Sequence, residues 1–133
     1  MIDESIHRRK RPRWMPLIAP RVLNPPNEVW SEEQWAVLQR GMYPSGMDYR
    51  WCTYAVDRRW YAHRSWTGQG IFEAEFAPTE GGWRVIAAVV ESGDVNSYVS
   101  RPDRELSDLL RRVIDIAARW NVEDEYSWGD SSH

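Results

Sequence analysis

Between residues 49 and 91 the chain alternates runs of strand-forming residues with connections too short to carry a crossover. Parallel neighbours need a dozen or more connecting residues, so this succession folds back on itself as antiparallel hairpins. The runs are 49–56 (Tyr-Arg-Trp-Cys-Thr-Tyr-Ala-Val), 59–66, 70–77 and 83–91 (Trp-Arg-Val-Ile-Ala-Ala-Val-Val-Glu). Asp57-Arg58 reads as the first turn. Gly68-Gln69 reads as the second, with glycine in its first central position, and Pro78 to Gly82 as a loop. The expectation is a four-stranded antiparallel meander.

Two helices flank these strands. Ser31-Glu32-Glu33-Gln34 has the pattern of a capping box, Trp30 and Trp35 fall at the positions of a hydrophobic staple, and Gly41 supplies a stop. Together they predict a helix over 31–40. Leu106, Leu109, Leu110, Val113, Ala117 and Trp120 recur at three- and four-residue spacing, which predicts a second helix over 103–120 with one apolar stripe. The fold class is therefore α+β, a meander sheet with an N-terminal and a C-terminal helix packed on it.

A chain of 133 residues suits one domain. Residues 1–27 hold five prolines (Pro12, Pro16, Pro20, Pro25 and Pro26), a density that excludes a continuous helix and disfavours a central strand. They read as a basic extended arm, ordered from about Trp14, with Met15, Leu17, Ile18, Val22 and Leu23 packed on the domain or on a partner. The domain itself spans 28–120. Residues 121–133, with Glu123, Asp124, Glu125 and Asp130, read as an acidic flexible tail.

Cys52 is the only cysteine, so no internal disulfide forms. The N-terminus has no apolar signal-peptide core, and the longest apolar run, Val85 to Val90, is far too short to span a bilayer. The expectation is a cytoplasmic protein without membrane association. The block from His7 to Arg13 is basic enough to bind phosphate through counterion release. Short charged termini are more often simply solvated, so nucleic acid is the less favoured partner.

The turns also set a register. They place Trp51 opposite Arg64, Cys52 opposite His63, Arg64 opposite Glu73 and Ala62 opposite Glu75. One face then carries Trp51, Arg64 and Glu73, flanked by Trp60, Trp66 and Glu75. The other carries Cys52, His63 and Ala74, with Tyr54, Tyr61, Phe72 and Phe76 nearby. The second face is the more apolar, so the C-terminal helix is expected on it. The first becomes the candidate ligand surface, formed by Trp51, Arg64, Ser65, Trp66, Thr67 and Glu73. Guanidinium forks onto phosphate, and indoles stack on planar groups. The plainer alternative is a cross-strand Arg64–Glu73 pair that satisfies itself beneath tryptophan cover.

Glu73 and Glu75 stand two apart on one strand face, a spacing that suits acid/base work and is also common surface decoration. Cys52 opposite His63 has the residue types of a nucleophile and base, but no accompanying motif lowers the thiol's pKa, and a buried thiol beside a core histidine is favoured. The three histidines, His7, His63 and His133, are far apart and no Cys/His pair has ligand spacing, so no metal site is expected. Gly68-Gln-Gly70 lies in a hairpin rather than before a helix and is no phosphate loop.

The segment Tyr61-Ala-His-Arg-Ser-Trp-Thr-Gly68, with Ile71-Phe72 after it, resembles a little-characterised group of bacterial proteins with a strand reading His-Arg-Ser-Trp-Thr-Gly followed by an aliphatic–aromatic pair. The resemblance spans about residues 49–110, including the Asp94…Tyr98 stretch. Relatives of that kind stand alone or beside ADP-ribose-processing domains. The resemblance implies contact with ADP-ribose or a modified macromolecule through Arg64, Ser65, Trp66 and Thr67, and it assigns no catalytic residue.

Two readings follow. The preferred one is a small intracellular binding or interaction module, accessory or antitoxin-like, that takes a protein partner or a nucleotide-like ligand and needs no cofactor. The alternative is an enzyme acting on nucleotide or ADP-ribosylated substrates, with Glu73 or Glu75 as acid/base. The residues alone leave both open and specify no oligomeric state.

Overall fold

A computed structural model describes residues 15–44, 50–65, 67–93, 96, 98 and 100–120. The basic block, Trp14, Trp66 and the acidic tail lie outside the described residues. In chain order the elements are β1 (Pro20–Leu23), β2 (Val29–Trp30), α1 (Glu32–Arg40), β3 (Trp51–Val56), β4 (Arg59–Arg64), β5 (Gly70–Thr79), β6 (Gly82–Glu91) and α2 (Asp103–Ala118). The sheet runs β1-β6-β5-β4-β3, with β2 also on β6, and every strand pairing is antiparallel. The fold is the expected α+β meander with a helix near each end.

The proline-rich segment adds two strands to that expectation. β1 and β2 lie along one edge of β6, where Pro20 opens β1 and no further strand needs its missing N–H. A buried carboxylate holds the segment there. Glu91 has no exposed surface, and it accepts N–H bonds from Ile18 (2.6 Å), Ala19 (3.1 and 3.2 Å) and Gly93 (2.8 Å). Charge-assisted bonds of this kind are what a buried carboxylate needs to offset lost hydration.

The first helix starts as its sequence dictates. Gln34 N–H donates to Ser31 Oγ at 3.1 Å, Ser31 N–H donates to Gln34 Oε1 at 2.8 Å, and Gly41 ends the helix at φ +88°. α1 packs on β3, β6 and α2, and α2 also reaches β1. Trp30 and Trp35 meet over Phe76, with ring centroids 5.8 and 4.7 Å from it. The Trp30 indole N–H donates to Asp115 of α2 at 2.8 Å and ties β2 to the last helix. Burial of each such side chain contributes roughly 1.5–3 kcal/mol. No helix among the described residues is long and apolar enough to cross a membrane.

One part of the expected register is corrected. β3 and β4 pair as predicted, Trp51 with Arg64 and Cys52 with His63, around an Asp57-Arg58 turn. β4 and β5 do not. Tyr61 opposes Glu73, Arg59 opposes Glu75 and Ala62 opposes Phe72. The connection is not a two-residue turn at Gly68-Gln69. Gly68 N–H returns to Arg64 O, and Arg64 N–H bonds to Gln69 O, so residues 65–68 form the loop. A bulge then leaves Ile71 without an opposite residue. Measured at Ala62, the pairing slips by three residues, from Glu75 to Phe72. An odd slip exchanges the faces.

The consequence reaches the whole core. Phe72, Ala74 and Phe76 share the face of Trp51, Trp60 and Ala62, all buried. The helices cover that face, not the one with Tyr54, Tyr61 and His63. Most of the tryptophans expected to form a ligand surface are core residues.

Two substitutions test this packing in urea unfolding. Gly82 sits at φ +149°, and a Cβ there would meet Trp30 O at 2.0 Å, so Gly82→Ala is expected to cost about 2 kcal/mol or more. Thr53 is fully buried with its hydroxyl lacking a hydrogen-bond partner among the described residues, so Thr53→Val is expected to stabilise by about 1 kcal/mol.

Candidate binding site

Arg64 ends β4 on the helix-covered face, where the sheet runs out toward the β6–α2 connection. Its guanidinium stands 5.9 Å from the Trp51 ring centroid and 5.8 Å from that of Tyr98. These two rings are stacked at 6.2 Å, and Trp51 also lies 6.0 Å from Phe72 at the end of the core. Arg101 lies over the Tyr98 ring at 5.0 Å. Arg64 and Tyr98 are half-buried and Arg101 is exposed.

The backbone prepares this arrangement. Asn96 is buried, donates from Nδ2 to Glu91 O at 2.7 Å, and accepts Tyr98 N–H at 2.9 Å. An asparagine that bonds the N–H two residues on makes a turn with its own side chain. Arg101 N–H then bonds to Tyr98 O, one residue before Pro102, the N-cap of α2. On the other side, Ser65 N–H bonds to Arg50 O at 2.9 Å, so exposed Arg50 adjoins the β4 end. Neither Arg50 nor Arg101 has a carboxylate partner among the described residues.

Of the residues singled out in the sequence, Trp51, Arg64 and Ser65 come together at this end. Thr67 lies in the adjoining loop, exposed, and its Oγ1 accepts Gln69 N–H at 3.2 Å. Trp66 lies outside the described residues. Glu73 does not belong here. It lies on the opposite face, where Arg59 donates to its Oε1 from Nε at 3.0 Å and from Nη2 at 2.8 Å. Glu75 is beside it, 3.9 Å from Arg59 Nη1. The predicted Arg64–Glu73 pair is therefore replaced by Arg59–Glu73, and Glu73 and Glu75 flank one arginine, away from Trp51. Tyr98 and Arg101 were missed because register arguments cover only paired strands. The signal for them was Asn96 two residues before Tyr98.

The open face carries an aromatic stack. Tyr54 lies 4.9 Å from Tyr61 and 5.5 Å from His63, nearly parallel to both. His63 Nδ1 donates to Gly68 O at 2.9 Å, which leaves Nε2 to accept the Tyr54 hydroxyl at 3.3 Å. Burial, then Tyr61 and Glu73, push the Tyr54 hydroxyl up to about 12, so it keeps its proton. Cys52, across from His63, has no exposed surface. Among the described residues no three His, Cys, Asp or Glu side chains cluster to hold a metal ion. Comparisons of the chain with protein-family models, curated proteins and solved structures find no match.

Burial lowers the His63 pKa below its ordinary 6.5, against the weaker pull of Gly68 O and Glu73. The unfolded chain thus takes up the proton first as pH falls, and stability present above pH 6.5 is lost below it. Unfolding free energy is expected to drop on acidification from about pH 6.5, with a slope of at most about 1.4 kcal/mol per pH unit for one proton. His63→Gln should flatten the curve below about pH 6.5. An unchanged slope in that variant counts against this role.

Proposed function

We propose that the protein is a small binding module that takes an anionic, nucleotide-like group at the sheet end formed by Trp51, Arg64, Tyr98 and Arg101. The observation that carries this reading is the pair of guanidiniums on one tyrosine ring. Each cation–π contact contributes roughly 0.5–1 kcal/mol at a partly exposed site. Together they hold two guanidinium forks at one end of the sheet, where an anionic group can accept from them. Arginine's planar fork suits phosphate and carboxylate alike. Arg50 adjoins the same strand end through the bond from Ser65 N–H to its carbonyl, and Thr67 follows in the next loop.

An ADP-ribose or nucleotide diphosphate has the charge and the sugar hydroxyls for such a site, which accords with the resemblance carried by His63-Arg64-Ser65-Trp66-Thr67-Gly68. Glu73 and Glu75 lie on the opposite sheet face, so a ligand held here does not meet them. A binding role, accessory to another macromolecule, is the reading this geometry favours.

Thermal-shift and calorimetric titrations of the full chain with ADP-ribose, ADP and pyrophosphate test it. A ligand that binds only the folded state raises its melting point. Arg101→Ala is expected to weaken binding about tenfold or more, the scale of one lost charge-assisted hydrogen bond, with the unliganded melting point unchanged. Arg64→Lys should weaken it as well, since charge remains but the fork is gone. Binding by Arg101→Ala as tight as wild type, or no shift with any of the three ligands, removes the proposal.

A further inference from the structure

We infer that the uncovered face of the sheet is the contact surface between two copies of this chain. The register aligns one outward row across all five sheet positions, Val22–Val89–Glu73–Tyr61–Tyr54. A second row follows it, Ala87–Glu75–Arg59–Val56. Both helices lie on the other side, and residues 15–19 cross only the adjoining end of this face, at Gly70 and Glu91. A sheet face meant for water alternates toward polar residues. Here the outward side chains at the two margins are valines, Val22 78 % and Val56 55 % exposed, and the bulged Ile86 between the rows' ends is 44 % exposed. Stacked Tyr54 and Tyr61 form a flat platform toward the β3 side. Tyrosine and arginine are the residue types enriched at interface centres.

A second copy fits this face by charge. In a two-fold contact each copy presents the same surface, so any net charge meets its own sign. The charged side chains directed outward here are Arg59 and Arg84 against Glu73 and Glu75, which balance. The chain as a whole carries −3, so neutrality is a property of this face rather than of the surface at large. Three of the four charges are already paired within the face, Arg59 with Glu73 at 2.8 Å and with Glu75 at 3.9 Å, which leaves Arg84 to meet a carboxylate of the second copy.

The area is also sufficient. Five strands at a spacing of about 4.8 Å, four to ten residues long at about 3.3 Å each, offer on the order of 600 Å² of footprint, the lower end of what a specific contact uses. Specific interfaces bury about 600–1,000 Å² per partner. Two such sheets stacked about 10 Å apart would form a helix–sheet–sheet–helix sandwich, with both arginine–aromatic ends left outside the contact. This contact is independent of the ligand proposed above, which lies toward the helix-covered face.

Sedimentation equilibrium of the full chain, from about 1 to about 200 µM, tests it. The expected result is a concentration-dependent passage from one chain mass to two. Val22→Glu and Val56→Glu, at opposite margins and both on exposed side chains, should each weaken the dimer at least about tenfold, because each sets like charges against one another. Ile116→Glu, on the outer side of α2 and 52 % exposed, should leave it unchanged. Circular dichroism confirms that each variant keeps its fold. A monomer throughout the range overturns the proposal, as do assemblies larger than two chains. It is equally overturned if both valine variants dimerise like wild type, or if Ile116→Glu weakens the dimer as much as they do.

Discussion

The carbonyl of Gly68 anchors this architecture. It accepts Met15 N–H at 2.9 Å from the N-terminal segment and His63 Nδ1–H at 2.9 Å from β4, the strand that leads into the loop. Gly70 N–H returns to Met15 O, and a Cβ on Gly70 would stand 2.9 Å from that same oxygen. A segment some fifty residues away in sequence therefore closes over the loop and holds it open by two residues more than a tight turn would need. The loop sets where β5 begins against β4, the pairing sets which side chains face the helices, and the faces decide what is core and what is surface.

Buried polar groups repeat this logic elsewhere. Glu91 gathers the N–H groups of Ile18, Ala19 and Gly93, and Asn96 links the Glu91 carbonyl to Tyr98. Both ends of one strand turn, the arm on one side and the connection to α2 on the other, thus close on one residue at the end of β6. The arginine–aromatic end inherits its geometry from this clasp. Arg64 arrives from β4, Tyr98 and Arg101 from the stretch that Asn96 orders, and Trp51 from the edge strand. None of these four is near another in sequence except Tyr98 and Arg101.

Much of the secondary structure was legible residue by residue. The capping box at Ser31 and Gln34, the glycine stop at Gly41, the Asp57-Arg58 turn and the stripe from Leu106 to Ala117 all act through local bonds or through a period of 3.6, and all stand where expected. The β4–β5 register was not legible. Gly68-Gln69 satisfies the local rule for a two-residue turn, but the bonds from Met15 and His63, with those between Arg64 and Gly68 and Gln69, hold the longer loop. Because the slip is odd, Glu73 left the company of Arg64 and joined Arg59. The strand formed by Pro20–Leu23 was hidden for a similar reason. Proline density speaks against strands in general, but an edge position on β6 asks little of the missing N–H.

What the sequence determined by itself is the class of the fold: alternation and short connections permit only antiparallel neighbours, and capping and periodicity fix the helices, since each of these acts within a few residues. What only the tertiary structure decided is which face is buried and which side chains meet. That choice depends on contacts between distant segments, where a few hydrogen bonds to one carbonyl outweigh the local preference of the turn.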